Sequence, residues 1–295
     1  MEDRTHSRGD LAVDASSTCN AEIAASRDHG DSAGQGALAS DLTVAGKVQR
    51  RFLPLAAPDT ENYEFFGYYQ AAHQVGGDFF DYVPLSGGRW AVLVADVAGK
   101  GIAASLLMAR MSAESRWCLT SHDNPCAAMG HLNRWLCRVA HDGHFATMAV
   151  VVLDPAQHRL TVVNAGHCPP LLRRQSGVVE TMRCHENMCA GLPLGIQEEG
   201  RYDPCSVELR PGDTFVLYTD GVTEAMGRSG ELFGLGRLRG TLSRASGRPQ
   251  ALGQRVLRAV REFLGPRPQT DDLCFTCFRR ADGQSPTITG QEVSR

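Results

Sequence analysis

RWAVLVADVAGKGIAASLLMAR, residues 89–110, decides the fold. RWAVLVAD, residues 89–96, reads as a strand from its run of apolar and β-branched side chains, and 102–118 carries helical periodicity. Between them Asp96 closes the strand, and Gly99-Lys100-Gly101 turns the chain into the helix. A second helical stretch, 124–140, comes next. It is followed by strand-like runs at 145–154 and 159–165, joined at Asp154-Pro155 with hairpin spacing. Strands of the same character read at 63–70, 169–174, 204–210, 213–219 and 273–278, and a further helix at 249–264. Hairpin-connected strands with interspersed helices predict an α+β chain of mainly antiparallel sheets covered by helices, not a βαβ repeat.

Outside this region the sequence changes character. Residues 1–40 are rich in Ala, Ser, Asp and Gly, with almost no large apolar side chains, and are expected to form a disordered leader. In 41–60, Leu42, Ala45, Val48 and Phe52 fall at helical spacing, with Asp41 as N-cap and Pro54 as stop, which predicts a linker helix. The functional domain is expected over 61–280 and a mobile polar tail over 281–295. The 295 residues hold 30 Lys+Arg against 33 Asp+Glu, a formal charge of −3, with 42% hydrophobic and 21% charged residues. That balance gives no electrostatic footprint for nucleic acid or an anionic membrane. MEDRTHSRGD has no apolar core for a signal peptide, and no apolar run is long enough to span a bilayer, so a cytoplasmic location is expected.

The ten cysteines are scattered. Cys274-Phe-Thr-Cys277 has CxxC spacing but lies in a strand, where an odd offset sends the thiols to opposite faces. Cys184, His185, Cys189 and Cys205 lack the paired units of a zinc site. Both groups are read as reduced cysteines used as small apolar residues.

The residues that carry chemistry are aspartates at strand ends: Asp78 in GGDFFD, Asp96, Asp220 in TDG, and Asp271-Asp272. Each alone is commonly a turn former. If the strand ends meet, so many carboxylates repel one another, and a hard divalent cation resolves the conflict. Oxygen-only ligands favour magnesium or manganese over zinc. A two-metal centre activates water and clamps the attacking and leaving oxygens. Gly99, Lys100 and Gly101, opening a helix, could bind a phosphate, though Lys100 reads equally as a solvated turn lysine. No serine, cysteine or P-loop nucleophile motif is present, so water is the expected nucleophile.

KVQRRFLP, VGGDFFDYVPL, DVAGKGIAASLLMAR, NAGHCPPLL, GLPLGI, PGDTFVLYTDGVTEA and TDDLCF, in this order, resemble the stage II sporulation protein E-type serine phosphatases. That group lies within the metal-dependent, type 2C-like (PPM) superfamily. The resemblance implies a four-layer α/β/β/α sandwich. It also implies two divalent cations, Mn2+ or Mg2+, and hydrolysis of phosphoserine or phosphothreonine on a protein such as an anti-sigma factor antagonist. By the same resemblance Asp96 bridges both metals with the Val97 carbonyl adding an oxygen, Asp78 serves the second metal, and Asp220 and Asp271 the first. Asp272 stands behind them. In this family the segment corresponding to 41–55 commonly mediates dimerisation. Two departures stand out: Cys274 replaces the usual Thr, and Ala98 stands where eukaryotic relatives place a His. The proton for the leaving oxygen then falls to metal-bound water or Lys100. Asn164-Ala165-Gly166-His167 reads as a structural turn with a hydrogen-bonded His.

Two other readings compete. Gly76-Gly77-Asp78-Phe79-Phe80 resembles the GGDEF signature of diguanylate cyclases, but Phe79 cannot coordinate the metal that signature needs. An inactive, binding-only relative would have lost ligand aspartates, and all four are retained.

Overall fold

Strand β4 shows how the layers arise. Met148, Val150 and Val152 point to one side of its sheet and Ala149, Val151 and Leu153 to the other, and all six are buried. A strand apolar on both faces must be covered on both. The structure is a computed structural model that describes residues 27–140, 143–182 and 191–282. The elements run α1 (Arg27–Gln49), β1 (Tyr63–Gln70), β2 (Phe79–Pro84), β3 (Trp90–Val97), α2 (Gly101–Ser121), α3 (Pro125–Val139), β4 (Ala146–Asp154) and β5 (Arg159–Ala165). Then come β6 (Leu171–Arg173), β7 (Val179–Thr181), β8 (Cys205–Glu208), β9 (Thr214–Tyr218), α4 (Asp220–Thr223), α5 (Gly234–Ser243), α6 (Pro249–Leu264) and β10 (Leu273–Arg280).

Among the described residues the strands form two five-stranded antiparallel sheets, ordered β1-β10-β9-β6-β7 and β2-β3-β4-β5-β8. Three apolar cores separate four layers. Leu93, Ala95, Met148 and Val150 pack on Met108 and Met111 of α2 and Met129 and Leu132 of α3. Val92, Val94, Val151, Phe215, Leu217 and Phe278 fill the space between the sheets. Val216, Phe275 and Leu273 meet Leu238 of α5 and Val256 and Val260 of α6. Each buried aliphatic or aromatic side chain contributes about 1.5–3 kcal/mol of transfer free energy. The expected α/β/β/α sandwich is therefore present. Cys274 lies in the core between the sheets and Cys277 in the core beneath α6, the opposite faces that strand alternation requires.

Several boundaries differ from the sequence reading. β3 extends through Val97, so Asp96 lies within the strand rather than closing it. β2 was read only as aromatic anchors; five of its six residues are buried, so it shows no alternation. α5 was not anticipated, because GLGRLRG is rich in glycine. The chain divides into two units, Met1–Thr43 and Val44–Arg295. In the first, the described residues from Arg27 are helical, so the leader expected over 1–40 is not uniformly unstructured and Asp41 lies inside α1 instead of capping it. In the second, α1 meets its surroundings through buried Gln49, whereas Val48 (51% exposed) and Phe52 (42%) of the expected apolar stripe face outward. Residues 1–26, the tail beyond Asp282, and Cys184, His185 and Cys189 lie outside the described residues. No helix among those described is long and apolar enough to cross a membrane.

Asp81 of the GGDFFD motif belongs to the fold. Its carboxylate is buried and takes Arg116 Nη2 of α2 at 2.6 Å on each oxygen. Burial pushes its pKa up and the guanidinium pulls it back. Arg116→Ala is expected to cost roughly 1–3 kcal/mol in urea unfolding, below a fully buried pair because the arginine is half-exposed. Unchanged stability would contradict this account.

Candidate metal centre

The antiparallel register brings the aspartates together. Phe79 pairs with Ala95, so one step outward along the two strands Asp78 stands opposite Asp96, which itself pairs with Thr147 of β4. In the other sheet Tyr218 pairs with Phe275, placing Asp220, just after β9, near Asp271 and Asp272, just before β10. Asp78, Asp96, Asp271 and Asp272 line one recess with Gly99, Lys100 and Gly101. Asp220 is not in its lining but acts electrostatically on this group.

Asp272 holds the loop that carries Asp78. Its Oδ1 accepts the Ala72 N–H at 2.8 Å, and its Oδ2 accepts those of Gly77 at 2.8 Å and Asp78 at 3.2 Å. The loop approaches so closely that a Cβ on Gly76 would be built into the Asp272 carboxylate and the Tyr69 hydroxyl. Gly76 is also locked to α1: Gln49 Nε2 donates to its carbonyl at 2.7 Å, and its N–H donates to Gln49 Oε1 at 3.0 Å. Gly76→Ala is therefore expected to destabilise by about 1–3 kcal/mol through overpacking, read as a lower Tm; an unchanged Tm would count against this packing.

The electrostatics are those of like charges crowded together. Burial, then the Asp96 and Asp272 charges, push Asp78 well above the usual carboxylate range. Burial also raises Asp96, and it lifts Asp220 to about 6 with help from Asp96, Glu224 and Asp271. Asp78 and Asp96 stand side by side, and the charge of Asp96 makes ionisation of Asp78 still less favourable. Thr219, fully buried, supplies a hydroxyl to Asp78 and accepts the Cys274 N–H at 3.2 Å. A threonine hydroxyl thus reaches the carboxylates although Cys274 replaces the expected Thr. Lys100 Nζ donates to Asp271 Oδ2 at 3.1 Å and the Thr270 carbonyl at 2.9 Å, while its side chain stays largely exposed at the recess. Among the described residues no three His, Cys, Asp or Glu side chains already form a coordination cage. A donor set of crowded aspartates with one lysine beside it fits divalent cations, whose charge would relieve the repulsion.

Gly99 (φ 106°) and Gly101 (φ 75°) flank Lys100 in left-handed conformations and open α2, whose first turn holds no acidic side chain. Its N-terminal N–H groups border the carboxylate recess. His167 is buried, and its Nδ1 meets Thr147 Oγ1 at 2.7 Å while its Nε2–H donates to the Tyr218 carbonyl at 3.1 Å. Asn164 bonds both backbone groups of His167. The turn is structural, and it joins the two sheets directly beneath Asp96 and Asp220.

A sequence model of the family described as Stage II sporulation protein E (SpoIIE) matches residues 86–281. The chain belongs to the SpoIIE family. It is 26% identical over 242 residues to the phosphoserine phosphatase RsbP of Bacillus subtilis, covering 80% of this chain and 56% of that protein. To RsbU of the same organism, also a phosphoserine phosphatase, it is 28% identical over 193 residues, covering 65% and 56%. The chain thus spans little more than half the length of these curated relatives. The SiaA-PP2C domain of Pseudomonas aeruginosa superposes with a TM-score of 0.72 at 24% identity, over 84% of this chain and 98% of that one. At that identity the likeness speaks for the fold. Membership of the SpoIIE family sets aside the cyclase reading, and Phe79 of GGDFF is a buried core residue under α2. Gln49, Thr219 and Asp272's backbone clasp had no local sequence signal, because each acts on residues far away in the chain.

Proposed function

We propose that this SpoIIE-family chain is a metal-dependent phosphatase acting on phosphoserine or phosphothreonine of a regulatory protein, of the class of anti-sigma factor antagonists. The observation that carries the reading is the convergence of Asp78, Asp96, Asp271 and Asp272 on one recess, with Lys100 bonded to Asp271. The names of RsbP and RsbU support the substrate class.

Asp96 and the Val97 carbonyl, with Asp78 on one side and Asp220 and Asp271 on the other, would hold two cations, Mn2+ or Mg2+. Bound there, the cations would acidify water and supply positive charge to the phosphoryl oxygens. The chain's own residues do the rest. Asp272 fixes the Asp78 loop through three N–H groups. The N–H groups at Gly101 and the helix dipole of α2 orient a phosphate toward the recess. Thr219 keeps Asp78 facing Asp96.

The test is hydrolysis of p-nitrophenyl phosphate and a phosphoserine peptide in manganese. Activity should vanish in excess EDTA and return with manganese better than with zinc. A folded chain that binds manganese but hydrolyses neither substrate would instead support the binding-only relative. Manganese affinity should weaken as pH falls through about 6, because Asp220 then takes up a proton that competes with the cation. Calorimetric titration at pH 5 and 7 checks this, and equal affinities would refute it.

A further inference from the structure

Expulsion of a serine or threonine alkoxide needs a proton. Ala98 has no proton to give, and Lys100 is engaged with Asp271 and Thr270. Two imidazoles stand nearby. His144 lies behind the Gly99 turn, its Nε2 3.8 Å from where a Cβ on Gly99 would be, and does not line the recess. His73 does line it, together with Asp78, Asp96, Gly99 and Lys100, and its side chain is exposed to an incoming substrate.

The loop bearing His73 is held at both ends. Asp272 takes the N–H of Ala72 immediately before it with one oxygen and those of Gly77 and Asp78 after it with the other. Gln49 fixes Gly76 between them. One carboxylate therefore ties the placement of His73 to that of Asp78. A titratable ring on a fastened loop at the mouth of an acidic recess is suited to proton donation.

We propose that His73 is the general acid for the leaving oxygen of a phosphoserine or phosphothreonine protein; this rests on the phosphatase reading. In the step, the oxygen of water bonds to phosphorus and the bond from phosphorus to the serine oxygen breaks. The electron pair stays on that oxygen, which takes the imidazolium proton of His73. Phosphate leaves as dihydrogen phosphate, keeping both hydrogens of the water, and releases one to solvent. The neutral imidazole recovers a proton from solvent, so atoms and charge balance.

The test uses leaving groups. p-Nitrophenolate departs without a proton, whereas a serine alkoxide does not. For His73→Ala and His73→Gln, the ratio of kcat on p-nitrophenyl phosphate to kcat on a phosphoserine peptide should rise about 100-fold or more over wild type, the scale of general acid catalysis. Manganese affinity by calorimetry should be unchanged, since the role concerns the leaving group and not the metal. An unaltered ratio would overturn the proposal. So would a loss of manganese affinity, or a rise of the ratio in His144→Ala in place of the His73 variants. A wild type inactive on both substrates would overturn the phosphatase reading itself, and this inference with it.

Discussion

Asp96→Asn is expected to lower manganese-dependent hydrolysis by at least about a thousandfold, equivalent to ~4 kcal/mol of lost transition-state stabilisation. A neutral amide, with one oxygen and no charge, cannot take the bridging role proposed for Asp96. The fold should survive. Burial and the Asp271 and Asp272 charges already make an ionised Asp96 unfavourable, and an asparagine NH2 can donate to the neighbouring Asp78. Unfolding in EDTA should therefore occur at the same or a higher temperature than for wild type. This pairing of lost activity with retained stability separates a functional carboxylate from a structural one. For contrast, Arg116→Ala strands the Asp81 carboxylate and lowers stability without touching the recess. Wild-type activity in Asp96→Asn, or full activity in EDTA, would remove the metal-phosphatase reading.

The aspartates were legible because each sits at a strand end beside glycine or a second acid, and antiparallel pairing brings strand ends to one edge. GGD, DVAGKG and DD each have a local physical reason to be there: close backbone approach at Gly76, left-handed turns at Gly99 and Gly101, and a backbone clasp at Asp272. What each side chain does once it arrives was less legible. Lys100 divided evenly between a phosphate ligand and a solvated turn, and its bond to Asp271, 171 residues away, could not be read locally. Asp81 belongs to the same motif as Asp78, yet pairs with an arginine on a helix that the sequence cannot orient toward it. β2 was missed because a strand buried on both faces has no period to read. The start of α1 was missed for the opposite reason, since a segment poor in large apolar residues offers no stripe. His73 had no motif at all. Only the fold brings it to the recess.

His167 carries the other large expectation. Burial holds its pKa down to about 4, against 6.5 for an ordinary histidine. The folded state thus binds the neutral ring, with Nε2–H donated to Tyr218 and Nδ1 accepting from Thr147. For a depressed histidine the contribution to stability is complete above pH 6.5 and is lost as pH falls toward 4, because the unfolded chain takes up the proton first. The depression corresponds to about 3 kcal/mol. In metal-free protein Asp220 works in the opposite direction. Its raised pKa means that stability is regained as pH falls through about 6 toward 3.8, so the wild-type profile alone would mix the two. Comparison with His167→Gln removes Asp220 from the difference, since glutamine can donate to Tyr218 and accept from Thr147 but does not titrate. The stability of wild type relative to His167→Gln, from urea unfolding in EDTA, should fall by about 3 kcal/mol between pH 7 and pH 4. A pH-independent difference would show that the imidazole is not held neutral. His167→Ala, which leaves both partners unpaired and opens a cavity between the sheets, should cost about 3 kcal/mol at pH 7. It should also weaken manganese binding, because His167 bonds Thr147, the register partner of Asp96, and the carbonyl of Tyr218, two residues before Asp220.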